Sequence, residues 1–150
     1  MATRILVLHG INLNMFGKRD PKHYGTITLA QIDARLKALG KELGASVTCF
    51  QTNDEGRMCE RIHRAHAEKI DAVLINPGAW LTYGYGLRDA LDILTVPVVE
   101  VHMSNVHARE EFRHHSVISA IVRGQIAGFG VDSYLLGLRA AVSAAGARKG

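Results

Sequence analysis

The chain has 150 residues, with 18 Lys and Arg against 14 Asp and Glu for a formal net charge of +4, eight His and a 47% hydrophobic share. A domain of this length buries roughly two-thirds of its unfolded surface, so residues 1–150 are expected to form one domain without disulfides or a metal. The apolar runs are too short to cross a bilayer, no stretch alternates basic and aromatic residues as a nucleic-acid groove does, and Cys49 and Cys59 make no disulfide framework, which favours a reducing cytoplasm.

Residues 4–8 are β-branched and apolar, the pattern of a buried parallel strand. A long connection over residues 9–25 follows, without helical or strand periodicity. Such loops commonly act as lids or binding loops, and residues 17–25 are the expected lid. Thr28 caps a helix in which Leu29, Ile32, Leu36, Leu39 and Leu43 keep helical spacing, and Gly44 ends it. A second strand is expected over residues 46–51, a charged amphipathic helix over 55–69 and a third strand over 72–75. A helix over residues 83–94 and a fourth strand over 97–101 come next. A short helix around 108–112, a fifth strand over 125–129 and a closing helix over 133–145 complete the pattern, with residues 146–150 expected to fray. Strands alternating with helices predict an α/β fold, a flavodoxin-like, doubly wound, five-stranded parallel sheet in a single domain.

Sheets of this kind bind ligands outside the carboxyl ends of their strands, near the switch in strand order. Three segments arrive there. Glu100 and His102 are two apart at a strand end and project to the same side. A carboxylate beside an imidazole can orient it for general-acid work, or the two can form a structural pair. In the long loop, Arg19 favours the phenolate form of Tyr24, which could then abstract a proton beside a carbonyl; the same residues also suit a surface Arg and a half-buried Tyr. Asn12 and Asn14 can hold a water or an oxyanion, or stabilise turns. Ser104 and Asn105 have the character of N-caps, so backbone N–H groups near Met103 and Ser104 can take a carboxylate. Arg109 and Arg113 share one face towards the same mouth, or form a solvated face with Glu110 and Glu111.

Other chemistry is missing from the sequence. No G-x-G-x-x-G follows the first strand and no phosphate loop is present. His102, His107, His114 and His115 lack metal-ligand spacing, so no metal is expected. No G-x-S-x-G elbow appears.

Three runs occur in order: Gly10-Ile11-Asn12-Leu13-Asn14 with Gly17-Lys18-Arg19-Asp20-Pro21 and Tyr24-Gly25; Asn76-Pro77-Gly78-Ala79; and Glu100-Val101-His102-Met103-Ser104-Asn105 on to Arg113. Together they resemble the three signatures of the type II 3-dehydroquinate dehydratases, over about residues 4–140. The resemblance implies a cofactor-free lyase that converts 3-dehydroquinate, its small-molecule substrate, to 3-dehydroshikimate by anti elimination through an enolate, in the shikimate pathway or in quinate breakdown. It implies that Tyr24 removes the proton, Arg19 favours its anion and fixes the lid, and Asn12 positions a water on the enolate oxygen. His102, oriented by Glu100, protonates the leaving hydroxyl. Asn76, Ala79, Thr82, Met103, Ser104 and Arg113 match substrate-binding positions, and Asp89 matches a substrate-binding residue that a neighbouring subunit supplies in trimers assembled into dodecamers. Departures are visible too: Thr82 stands where the family usually has His, and His9 and Ile11 where it has Asn and Pro. Two other readings stand beside this one, a diverged lyase for a related cyclic hydroxy keto acid and a non-catalytic protein that binds a small carboxylate.

Overall fold

The most uniformly apolar runs become the middle of the sheet. In the computed structural model, which describes residues 2–149, β1 (Thr3–His9), β3 (Ala72–Asn76) and β4 (Val98–His102) lie side by side and are almost wholly buried. The more polar β2 (Ala45–Gln51) and β5 (Gly124–Ala127) take the edges. The order is β2-β1-β3-β4-β5 with every pair parallel, as the flavodoxin-like expectation required. Strand side chains alternate between faces. Ile5, Val7, Leu74 and Val101 pack on one face with Ile32 and Leu36 of α2 (Leu29–Glu42) and Tyr134 and Leu138 of α5 (Val131–Lys149). Leu6, Leu8, Val73 and Ile75 pack on the other with Met58 and Ile62 of α3 (Glu55–Ala67) and Leu87 and Leu91 of α4 (Tyr85–Ile93). Thr28 caps α2 as its position suggested, and with Gln31 it forms a reciprocal capping box.

Several boundaries differ from the sequence pattern, each for a local reason. The loop after β1 contains a 3-10 turn, Leu13–Met15, and a one-turn helix α1 (Pro21–Tyr24). One turn is too short to show a period, but its signals are local: Asp20 accepts a hydrogen bond from Lys22 N, and Pro21 occupies the first turn. Tyr83 precedes α4 because residues Gly78–Thr82 form a separate 3-10 turn. The expected helix around residues 108–112 is two 3-10 turns, Val106–Ala108 and Glu111–Arg113, with Arg109 and Glu110 between them. β5 stops at Ala127, and Gly128 leaves the strand at a φ of 100°. α5 starts earlier and continues to Lys149, so the tail expected to fray is helical as far as that residue; Gly150 lies outside the described residues.

The chain reverses direction across the sheet between β1 and β3, and their carboxyl ends are pressed together there. Gly10 N donates to Asn76 O at 2.8 Å, and a Cβ on Gly10 would lie 2.3 Å from Pro77 O. Gly78 has a φ of 60°, and its Cβ would lie 2.7 Å from Ile11 O. Only glycine permits this approach of two loop backbones. Gly10→Ala is expected to lower the unfolding free energy by about 1–3 kcal/mol, the usual range for overpacking. Urea denaturation reads the change, and an unshifted midpoint would contradict the close-contact account.

Candidate active site

The loop after β1 brings Tyr24 inward. Phe16 and Tyr24 pack with ring centroids 5.8 Å apart, and Tyr24 is 9% exposed. Its hydroxyl oxygen is met by two guanidinium groups: Arg19 Nη2 donates at 2.8 Å and Arg109 Nη1 at 2.6 Å. Arg109 Nη1 also donates to Ser104 Oγ at 3.2 Å, which ties the lid to the segment after β4. Arg19 carbon Cζ sits 3.9 Å over the Tyr24 ring. Burial holds the Arg19 guanidinium below its ordinary range, and repulsion from Arg109 and Arg113 adds to that, while Tyr24 opposes it. Three cations therefore converge, and among the described residues Glu110 is the carboxylate paired with them, at 3.2 Å from Arg113 Nε and 3.7 Å from Arg109 Nε.

At the end of β4, Glu100 is fully buried and His102 nearly so. Glu100 Oε2 lies 2.5 Å from His102 Nε2 and accepts from Ser116 Oγ at 2.9 Å; Oε1 accepts from Gln125 Nε2 at 2.9 Å. A buried carboxylate persists when its oxygens meet such donors. With Nε2–H donated to Glu100, His102 keeps Nδ1 for another partner. His102 lines the same narrow cleft as Tyr24, Arg19, Arg109 and Arg113.

Asn76, Ala79, Met103 and Ser104 also line that cleft. The backbone N–H groups of Met103 and Ser104 make no loop or turn hydrogen bond among the described residues. Asn105, not Ser104, caps the next turn, accepting from His107 N at 3.2 Å. A single 3-10 turn adds little dipole, so the donors this segment offers an anion are the N–H groups and the nearby arginines. The asparagine at the end of β3 is 4% exposed, with Oδ1 accepting from Gly78 N at 3.1 Å.

Three sequence-derived positions lie elsewhere. Asn12 is exposed in a left-handed turn at a φ of 68°, a conformation Asn tolerates, and its backbone N–H donates to Asn53 Oδ1. Thr82 does not line the cleft: its Oγ1 donates to Ala79 O at 2.9 Å within the 3-10 turn, and the buried Leu81 faces the cleft instead. Asp89 is exposed on α4, away from the cleft lining. Ser116 and Gln125 were not legible as site residues. Gln125 sits opposite Glu100 in the β4–β5 register, which sequence does not display, and Ser116 comes from an irregular segment.

One cluster has metal-ligand composition. His9, Asp33 and Cys49 bring their polar atoms within 4.8 Å of one another. Burial, reinforced by the charge of Asp33, pushes the Cys49 thiol up to about 12, which keeps it protonated at neutral pH, and His9 Nε2 is already 2.7 Å from Asp33 Oδ1. Hydrogen bonds account for the cluster.

Comparison with known proteins places this geometry in context. The family model described as dehydroquinase class II matches residues 3–142. A protein of Leptothrix cholodnii named 3-dehydroquinate dehydratase is 74% identical over 145 residues, covering 97% of each chain. One of the same name from Pelobacter propionicus is 70% identical over 92% of this chain and 93% of its own length. The crystal structure of type II dehydroquinase from Propionibacterium acnes superposes with a TM-score of 0.91 at 48% identity, covering 95% of this chain and 98% of that one.

Replacing Ser116 by Ala leaves Glu100 Oε2 with His102 as its one remaining partner. The expected loss is about 1–3 kcal/mol of unfolding free energy, the range for an under-satisfied buried acceptor. A Ser116→Ala protein as stable as wild type in urea would show that this hydroxyl is dispensable.

Proposed function

The chain belongs to the class II dehydroquinases and dehydrates 3-dehydroquinate, and we propose that Tyr24 is the base and His102 the acid of that elimination. The observation that carries this reading is the pair of guanidinium donors on the Tyr24 oxygen, in a cleft shared with a His102 bonded to a buried carboxylate. Two cationic donors suit an oxygen that bears negative charge. As phenolate, Tyr24 takes the proton α to the ketone, and the electron pair moves to the carbonyl oxygen as an enolate. The enolate collapses, the hydroxyl two carbons from the carbonyl departs, and His102 Nδ1 supplies the proton that makes it water. Glu100 balances the imidazolium during this step. Tyr24 stands on the lid and His102 on the sheet, so base and acid approach from different elements, as an anti elimination needs.

Substrate binding follows the charge. Asn76 and the N–H groups of Met103 and Ser104 suit the carboxylate and Arg113 the ring hydroxyls, with Ala79 also lining the cleft. Asn12, by the family position it matches, is assigned the water at the enolate oxygen. Residues 17–25 act as the lid, and Thr82 serves its turn rather than the substrate. The family places the reaction in the shikimate pathway. No described helix is long and apolar enough to cross a membrane, and the unpaired Cys49 and Cys59 support a cytoplasmic setting.

The subunits are read as trimers within a dodecamer. Asp89 lies on α4 between the exposed Tyr85 and Ile93, on one helical stripe. Arg109 Nε is buried without a hydrogen-bond partner among the described residues. An aspartate delivered by a neighbour would complete that cation set.

Mixing the protein with 3-dehydroquinate should produce the ultraviolet absorbance of a conjugated enone, and Tyr24→Phe should lower kcat by about a thousandfold, within the range for general acid–base groups. Binding without turnover by the wild type would instead favour a small-carboxylate-binding protein, and turnover only with a related hydroxy keto acid would favour a diverged lyase. Light scattering is expected to give a multiple of three subunits; a strict monomer would overturn the role given to Asp89.

A further inference from the structure

Behind the cleft, Asn76 is joined to a chain of hydrogen bonds that the elimination does not use. His9, at the end of β1, is fully buried, with Nδ1 2.9 Å from the Tyr134 hydroxyl and Nε2 2.7 Å from Asp33 Oδ1. Tyr134, fully buried on α5, receives a hydrogen bond from Asn76 Nδ2 at 3.0 Å. These residues come from β1, α2, β3 and α5, so the chain runs across the α2–α5 face of the sheet.

The heavy-atom contacts give this chain one self-consistent set of hydrogen directions. Gly78 N donates to Asn76 Oδ1, so the amide oxygen faces the turn and the amide nitrogen faces Tyr134. The Tyr134 oxygen is therefore an acceptor towards Asn76, and its own hydrogen goes to His9 Nδ1. An Nδ1 that accepts is bare, so Nε2 carries the ring hydrogen and donates it to Asp33. Burial alone would raise the Asp33 carboxyl, but the hydrogen bond from His9 opposes it and the group lies below its ordinary range, as an acceptor should. A hydrogen on His9 Nδ1 would set two donors against the Tyr134 oxygen and leave the phenolic hydrogen without an acceptor in an apolar layer.

We propose that Asp33, His9 and Tyr134 are positioning residues that lock the Asn76 amide, so that its second Nδ2–H is presented to an oxygen of the substrate. Without Tyr134 the amide is held by Gly78 alone and can turn its carbonyl oxygen towards an anionic substrate. This inference rests on the reading of Asn76 as a substrate-binding residue.

The test joins kinetics with the ionisation pattern of one ring. Tyr134→Phe keeps the ring and removes the hydroxyl; a roughly tenfold rise in KM for 3-dehydroquinate is expected, with kcat within about twofold of wild type, the signature of lost ground-state binding. Asn76→Ala should raise KM similarly, and adding Tyr134→Phe to it should change KM no further, because both act through one amide. Unchanged KM in either single variant, or effects that multiply in the double variant, would overturn the proposal. Nitrogen-15-labelled histidine in the wild-type protein supplies a readout that does not depend on any variant folding. His9 is expected to carry its hydrogen on Nε2, and a hydrogen on Nδ1 would overturn the relay. In Asp33→Ala, His9 should shift towards a mixture of tautomers with about a threefold rise in KM; an unaltered His9 signal would remove Asp33 from the relay. A wild-type protein inert towards 3-dehydroquinate would sink the proposed function, while the His9 tautomer would still judge the relay.

Discussion

A parallel sheet covered on both faces leaves polar side chains one place to act, the carboxyl ends of its strands, and there each must be hydrogen-bonded because it is still buried. This chain follows that constraint strand by strand. β1 ends in His9, β3 in Asn76, and β4 in Glu100 and His102, all of them buried. Their partners come from the elements covering the sheet: Asp33 and Tyr134 on one face, Ser116 on the other, with Gln125 reaching across from the edge strand. The geometry of the cleft is thus held by the same contacts that satisfy the strand ends.

The loop that carries Tyr24 obeys a different balance. Arg19, Arg109 and Arg113 repel one another, and burial makes that repulsion stronger. Tyr24 offsets part of it as a shared acceptor, and an anionic substrate offsets more. A cleft with this excess of cationic donors suits an anionic ligand. The cation set also ties two distant chain segments together, since Arg109 lies 85 positions from the tyrosine it contacts.

Sequence and structure part company at identifiable residues. The pairing of Arg19 with Tyr24 and of Glu100 with His102 was legible because each pair is local, within one loop or one strand end. Arg109 was legible as a residue aimed at the mouth, but not as a second donor to Tyr24, because that contact depends on how the lid closes. Thr82 shows the reverse: alignment with a family position suggested a substrate contact, and the 3-10 turn uses its hydroxyl internally. His9 read only as a departure from the family pattern, since its partners lie 24 and 125 residues away.

Hydrophobic periodicity and the capping residues, by themselves, determined the alternation of strands and helices, the parallel sheet and the strand ends at which chemistry is found. Those are short-range properties, set by side-chain period and by backbone groups within a turn of one another. Only the tertiary structure decided which polar groups meet. Strand register put Gln125 beside Glu100, the packing of α5 put Tyr134 between His9 and Asn76, and the folded lid put Tyr24 between two arginines. A hydrogen bond acts over about 3 Å and takes no account of separation along the chain, so its partners are known only once the chain has folded.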